Sequence, residues 1–169
     1  MVYGIGIAIF IFGIITWIPF FNTPYGQDQS GTAYLADQVL KKKITFFKDK
    51  VVYTIGHFLH VIAIQFFFGK ENKYFNRFMC LWCSLSASII YWIVYDLFGL
   101  PAAIIAGISF AFYIVNPRID GNFGPFETIL ALPLLSSILC ILYACKTDNY
   151  TLFALSGMFF GYAILVKQT

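Results

Sequence analysis

Apolar residues fall along this chain in long, nearly unbroken blocks, separated by short polar clusters. A bilayer-spanning helix needs about 20 apolar residues, within a range of about 17–25. Five blocks reach or approach that length: Val2–Phe21, Phe78–Phe98, Leu100–Val115, Phe126–Cys145 and Tyr150–Val166. Leu100–Val115 is the short one, and Pro101 suits its first turn, where the missing N–H has no helical partner to lose. The pattern predicts an all-α fold: a polytopic membrane helix bundle of about five spanning helices.

The segment Asn22–Lys50 is polar, with a helical stretch inside it. From Ser30 to Lys42, the residues Thr32, Leu35, Ala36, Val39 and Leu40 share one arc at 100° per residue. Ser30, Tyr34, Asp37, Gln38 and Lys41 share the other. This predicts an amphipathic helix lying on the membrane surface, capped at its start by Asp28 or Ser30. Lys41-Lys42-Lys43 would complement its C-terminal dipole. Val51–Gly69 is apolar overall, but its first half carries a polar stripe of Lys50, Tyr53, Thr54, His57 and His60 opposite Val52, Ile55, Leu59 and Ala63. A helix that dips into the interface has a use for such a stripe, and a spanning one does not. Both segments are therefore expected to be juxtamembrane helices of the first external loop.

That expectation fixes the sidedness of the scarce carboxylates. The chain holds six Asp and two Glu in 169 residues. Ionisable groups at a membrane are costly and tend to serve function. Tyr25-Gly26-Gln27-Asp28 and Gly121-Asn122-Phe123-Gly124-Pro125-Phe126-Glu127 are its two conspicuous acidic loops. If Val51–Gly69 crosses, three spans separate Asp28 from Glu127, and the two face opposite compartments. If it does not, two spans separate them, they share a compartment, and Lys167 arrives there too. The second arrangement is expected, with the shared face extracytoplasmic. The positive-inside rule pulls the other way, because Asn22–Lys50 holds five lysines and Lys70–Arg77 three further basic residues.

Composition narrows the class. The chain is 60% hydrophobic and 11% charged, with mean hydropathy +0.78, where soluble domains carry about 25% charge. The net charge of +3 sits in short clusters, which suit anionic lipid headgroups and exclude a nucleic-acid partner. Val2–Phe21 lacks a basic n-region and a small-residue cleavage site, so it reads as a retained helix and not as a signal peptide. Cys80-x-x-Cys83 has no second Cys or His pair at metal spacing. With Cys140 and Cys145, it reads as small apolar residues. His57 and His60 read as polar interface residues, and Gly157-x-x-x-Gly161 as a close helix contact. The chain ends at Val166-Lys167-Gln168-Thr169, straight after an apolar block, as part of a longer protein would.

In order along the chain stand several short motifs. Tyr25-Gly26-Gln27-Asp28 is followed by Tyr34-Leu35-Ala36, then by Phe46-Phe47-Lys48-Asp49-Lys50. Phe75-Asn76-Arg77 precedes a span, and Leu97-Phe98-Gly99 ends it. Asn116-Pro117 leads through Gly121-Asn122 to Glu127, and Gly157-Met158-Phe159-Phe160-Gly161 precedes Lys167. This ordered set resembles the N-terminal part of the polyprenyl-phosphate-dependent glycosyltransferases of the GT-C superfamily, which include protein O-mannosyltransferases and lipid A aminoarabinose transferases. It departs from them at Val51-Val52, where the family often has Pro-Pro.

The resemblance implies a glycosyltransferase that moves a sugar from a polyprenyl-phosphate donor to an acceptor on the extracytoplasmic side, with inversion. It implies Asp28 as general base, Lys50 and Lys167 at the lipid phosphate, and Asn122 and Glu127 in an acceptor or metal loop. Asp49 and Glu127 would be the ligands if a divalent metal takes part. Residues 1–169 would then form the N-terminal transmembrane module of a longer enzyme, inactive alone, in a bacterial or archaeal plasma membrane. The acceptor is a protein, a lipid or a glycan. Each role has a plainer counterpart: Asp28 as a helix cap, the lysines snorkelling at helix ends, and Glu127 complementing a helix dipole. Two other functions stand beside the enzyme. A small transporter subunit would favour charges at mid-membrane, and a non-catalytic scaffold needs no convergence of the acidic loops.

Overall fold

A computed structural model describes residues 2–24, 27–42, 55–116 and 126–166. Among them it is all helical: α1 (Val2–Trp17), a 3-10 turn (Ile18–Phe20), α2 (Gln27–Leu40), α3 (Ile55–Phe68), α4 (Asn72–Phe98), α5 (Leu100–Ile114), α6 (Phe126–Thr147) and α7 (Tyr150–Val166). Three stretches are long and apolar enough to cross a membrane: Val2–Phe20, Asn72–Phe98 and Glu127–Thr147. Helices α5 and α7 are shorter and run alongside them.

Helix α4 is the mast of the bundle. It begins two turns before the apolar block does, because polar Asn72–Arg77 continues the helix at the membrane edge. From Arg77 to Asp96 the helix holds no charge and advances nineteen residues, about 28 Å at 1.5 Å each. That matches a hydrocarbon core of about 30 Å. The two ends of α4 thus define two faces, the Asn76 face and the Asp96 face.

Every other helix can be placed against this mast. The Tyr91 hydroxyl donates to the Val2 carbonyl at 3.1 Å, and Ser88 Oγ donates to that of Gly6 at 3.1 Å. At the far end, Asn76 Nδ2 lies 3.0 Å from the Phe20 carbonyl oxygen, 3.2 Å from that of Phe21 and 3.0 Å from that of Thr23. So α1 runs antiparallel to α4 and finishes on the Asn76 face. Gly99, at φ +82° in a region that favours glycine, turns the chain directly from α4 into α5. Helix α5 returns along α1, with Phe112 edge-on to Phe12 at 5.1 Å between ring centroids. Helix α6 follows α4: its first turns meet Trp82, and Lys146 near its end pairs with Asp96. Helix α7 comes back to the Asn76 face, clasped to α6 by Ser137 and Ser156, each hydroxyl donating to the other's carbonyl at 3.0 and 2.9 Å.

Proline shapes one of these contacts. Pro133 lies inside α6, so the carbonyl of Ile129, four residues earlier, has no N–H to accept from. Trp82 Nε1 donates to that carbonyl at 3.0 Å. In a bilayer no water can stand in for a missing donor. The expected result for Trp82→Phe is a loss of about 1–3 kcal/mol, the cost of one orphaned buried acceptor. Thermal unfolding in detergent measures it. Adding Pro133→Ala restores the N–H and should recover most of the loss. An equal loss with and without Pro133→Ala would show that Trp82 acts through packing alone.

Candidate functional site at one membrane face

The chain leaves α1 and enters α4 at the same face, because Asn76 holds both ends. Helices α2 and α3 therefore make one excursion on that side with no net crossing. Helix α3, described over Ile55–Phe68, does not follow α4 along its length. It packs instead at shallow depth: His60 sits 5.2 Å from the Phe78 ring and 4.7 Å from the Trp82 ring, in the first turns of α4 beyond Arg77. Two short helices, α2 and α3, stand where juxtamembrane helices were expected, and the starts of α2 and α6 share a face.

Helices α2 and α3 are tied as a unit. Gln65 Nε2 donates to the Ala33 carbonyl at 2.9 Å, with both residues buried. Asp37 takes Lys41, just past the end of its own helix, and Lys70 from the α3–α4 turn. A hydrogen bond from Lys41, seconded by one from Lys70, lowers the Asp37 pKa. A lowered pKa means the link stabilises fully above the usual carboxylate range and is lost as pH falls through the lowered pKa. Thr32 and Ala36 face inward as the periodicity predicts, and Ala33, outside the predicted arc, joins them. The helix begins at Gln27, so Asp28 and Ser30 stand in its first turn and not at the cap.

The histidines need correction. His57 and His60 do not face the interface; both are buried, while Leu59, Ala63 and Phe66–Phe68 face outward. The outside is lipid, so the apolar stripe belongs there and the polar one turns in. His60 Nδ1 lies 3.2 Å from the Tyr162 hydroxyl of α7. Burial pushes both imidazoles below their usual range, which keeps them neutral at pH 7. Beside them, an added Cβ at Gly56 would come within 2.6 Å of the Leu165 and Val166 backbone, so only glycine lets α3 and α7 approach this closely. The Gly157-x-x-x-Gly161 reading is overturned: no atom lies within 4 Å of an added Cβ at either position. Close packing falls at Gly56 instead.

Of the predicted site residues, Asp28 stands in the first turn of α2 and Glu127, exposed, in the first turn of α6. Both turns open on the Asn76 face. Asp49, Lys50, Asn122 and Lys167 lie outside the described residues; α7, which precedes Lys167, ends on the same face at Val166. Among the described residues no three His, Cys, Asp or Glu side chains gather to hold a metal. Cys80 and Cys83 are buried, as small apolar residues would be. Sequence reasoning placed Asn76 only within a motif and did not single out Gln65 or Trp82; Gln65 is a lone amide in the apolar second half of α3, which is the available signal.

Compared with known families, residues 55–169 match the family described as dolichyl-phosphate-mannose-protein mannosyltransferase. The match covers about two thirds of the chain, and the chain belongs to that family. No curated protein and no solved structure matches it. Membership places the chain among membrane glycosyltransferases that draw their sugar from a polyprenyl-phosphate donor. The matched region starts at Ile55, beyond the Asp28 and Lys50 segments.

Sidedness is directly measurable. In a background with the four native cysteines replaced, Ser30→Cys and Glu127→Cys are expected to react with an impermeant maleimide from one side. Tyr150→Cys should react from the other. Labelling of positions 30 and 127 from opposite sides would break the shared face.

Proposed function

We propose that this chain carries the catalytic face of a membrane glycosyltransferase that transfers mannose from a polyprenyl-phosphate donor to an acceptor on the extracytoplasmic side, inverting the anomeric carbon. The observation that supports the reading is that the starts of α2 and α6 share one face. On this reading a lipid phosphate is presented from that side to the Asp28 and Glu127 loops. Asp28 accepts the acceptor's proton as its oxygen bonds the anomeric carbon from the side opposite the phosphate. The bond from that carbon to the phosphate oxygen breaks, and Lys50 and Lys167 offset the charge left on the phosphate. Asn122 and Glu127 meet the acceptor. If a divalent metal takes part, Asp49 and Glu127 are its ligands, and it would add positive charge at the same phosphate.

The test uses the protein in its full chain context, reconstituted with a polyprenyl-phosphate mannose donor. Asp28→Asn keeps the side chain's size and costs the start of α2 only its charge–dipole interaction, about 0.3–1 kcal/mol. It removes the base. Transfer is expected to fall at least about a hundredfold while donor binding and helicity persist. Lys167→Met is expected to raise the donor KM, because it removes a cation from the phosphate. Near-normal turnover by Asp28→Asn would reduce that residue to helix-start chemistry and remove the centre of the proposal.

A further inference from the structure

Along the outward stripe of α4, side chains change character at one height. Lys73 and Arg77 stand one turn apart, and the same stripe continues as Leu81 and Leu85, 50% and 45% exposed. Cation above and aliphatic below marks the headgroup boundary on this helix. The end of α3 arrives at that boundary. Phe66, Phe67 and Phe68 are 69%, 73% and 54% exposed, and the Phe68 ring lies 6.1 Å from that of Phe78, next to Arg77. After Gly69 the chain turns to Lys70, which shares Asp37 with Lys41 just past α2. Lys42 follows Lys41 and is exposed. Five described cations (Lys41, Lys42, Lys70, Lys73 and Arg77) thus surround this edge against two acids, Asp37 and Glu71, a net charge of +3. At the opposite face Lys146 is matched by Asp96.

We infer that this edge is a docking surface for anionic phospholipid headgroups of the surrounding leaflet. Phe66–Phe68 enter the acyl boundary, and Lys42, Lys73 and Arg77 meet the phosphates. The charge excess and the exposed aromatic tip are separate observations at the same height. Aromatic residues at acyl depth beneath a basic rim are the pattern of an interfacial anchor. A cation close to an anionic leaflet strengthens binding by about fivefold. The surface also bears on α3: lipid held at its tip would steady the helix whose His60 meets Tyr162 of α7.

The experiment is native mass spectrometry of the intact protein in detergent, titrated with phosphatidylglycerol or with phosphatidylcholine of the same chains. Phosphatidylglycerol is expected to be retained at least about tenfold more tightly. That preference should shrink severalfold when salt rises from about 0.05 M to about 0.5 M. The combined variant Lys42→Gln, Lys73→Gln, Arg77→Gln is expected to lose the preference, while Lys146→Gln keeps it. If the combined variant does not fold, the salt series on the unaltered protein decides. Equal retention of the two lipids, or an equal loss in Lys146→Gln, overturns the inference. So does stoichiometric displacement of phosphatidylglycerol by a short polyprenyl phosphate, which would assign the cations to the donor. Loss of transfer in Asp28→Asn bears on none of these readouts.

Discussion

A polar amide at the membrane edge must find its partners in protein, because the bilayer supplies no water. Asn76 finds them in the carbonyls of the chain just past α1. Its amide reaches the oxygens of Phe20, Phe21 and Thr23, so the end of the first helix is bolted to the start of the fourth. The rest follows from that bolt. Because both ends lie at one face, α2 and α3 make no net crossing between them, and α4 and α5 lead from there to the start of α6. An asparagine at the membrane edge thereby decides that the starts of α2 and α6 share a side.

The bundle is inside out relative to a soluble fold, and that governs which readings the sequence allowed. Block lengths located the long helices to within a few residues, because a run of apolar side chains needs no partner to be read. The stripe on Val51–Gly69 was equally visible, but not its direction. His57 and His60 turn inward because lipid is the poorer place for an imidazole. The start of α4 was hidden by Asn72, Lys73, Asn76 and Arg77, which look like loop until one sees the Asn76 amide at work.

Other features depend on pairs far apart in sequence. Pro133 announces an orphaned carbonyl at Ile129, but nothing local says that Trp82, 47 residues earlier, will donate to it. Gly157 and Gly161 show the opposite case. Their spacing is that of a helix contact, yet the close approach falls at Gly56, where the Leu165 and Val166 backbone comes against α3. Small-residue spacing states a permission, and packing elsewhere decides whether it is used.

For the site, sequence supplied the candidates and a conditional: the acidic loops share a face if one segment fails to cross. The structure meets the condition through a single tie. What makes the arrangement suited to chemistry is how the loops are footed. Residues 43–54 run between Lys42 and Ile55, and residues 117–125 between Asn116 and Phe126. Their flanking helices meet one buried cluster that includes Trp17, Ala36, Phe58, Phe75, Val115, Ile129 and Val166. Reacting groups on loops can be replaced or refined while such a cluster keeps their feet in place. Groups held on several separate helices keep their mutual geometry only if those helices share a core. Here α1 through α7 contribute to the same one at the Asn76 face. A donor phosphate arriving at this face would therefore meet groups from both ends of the chain on one rigid base.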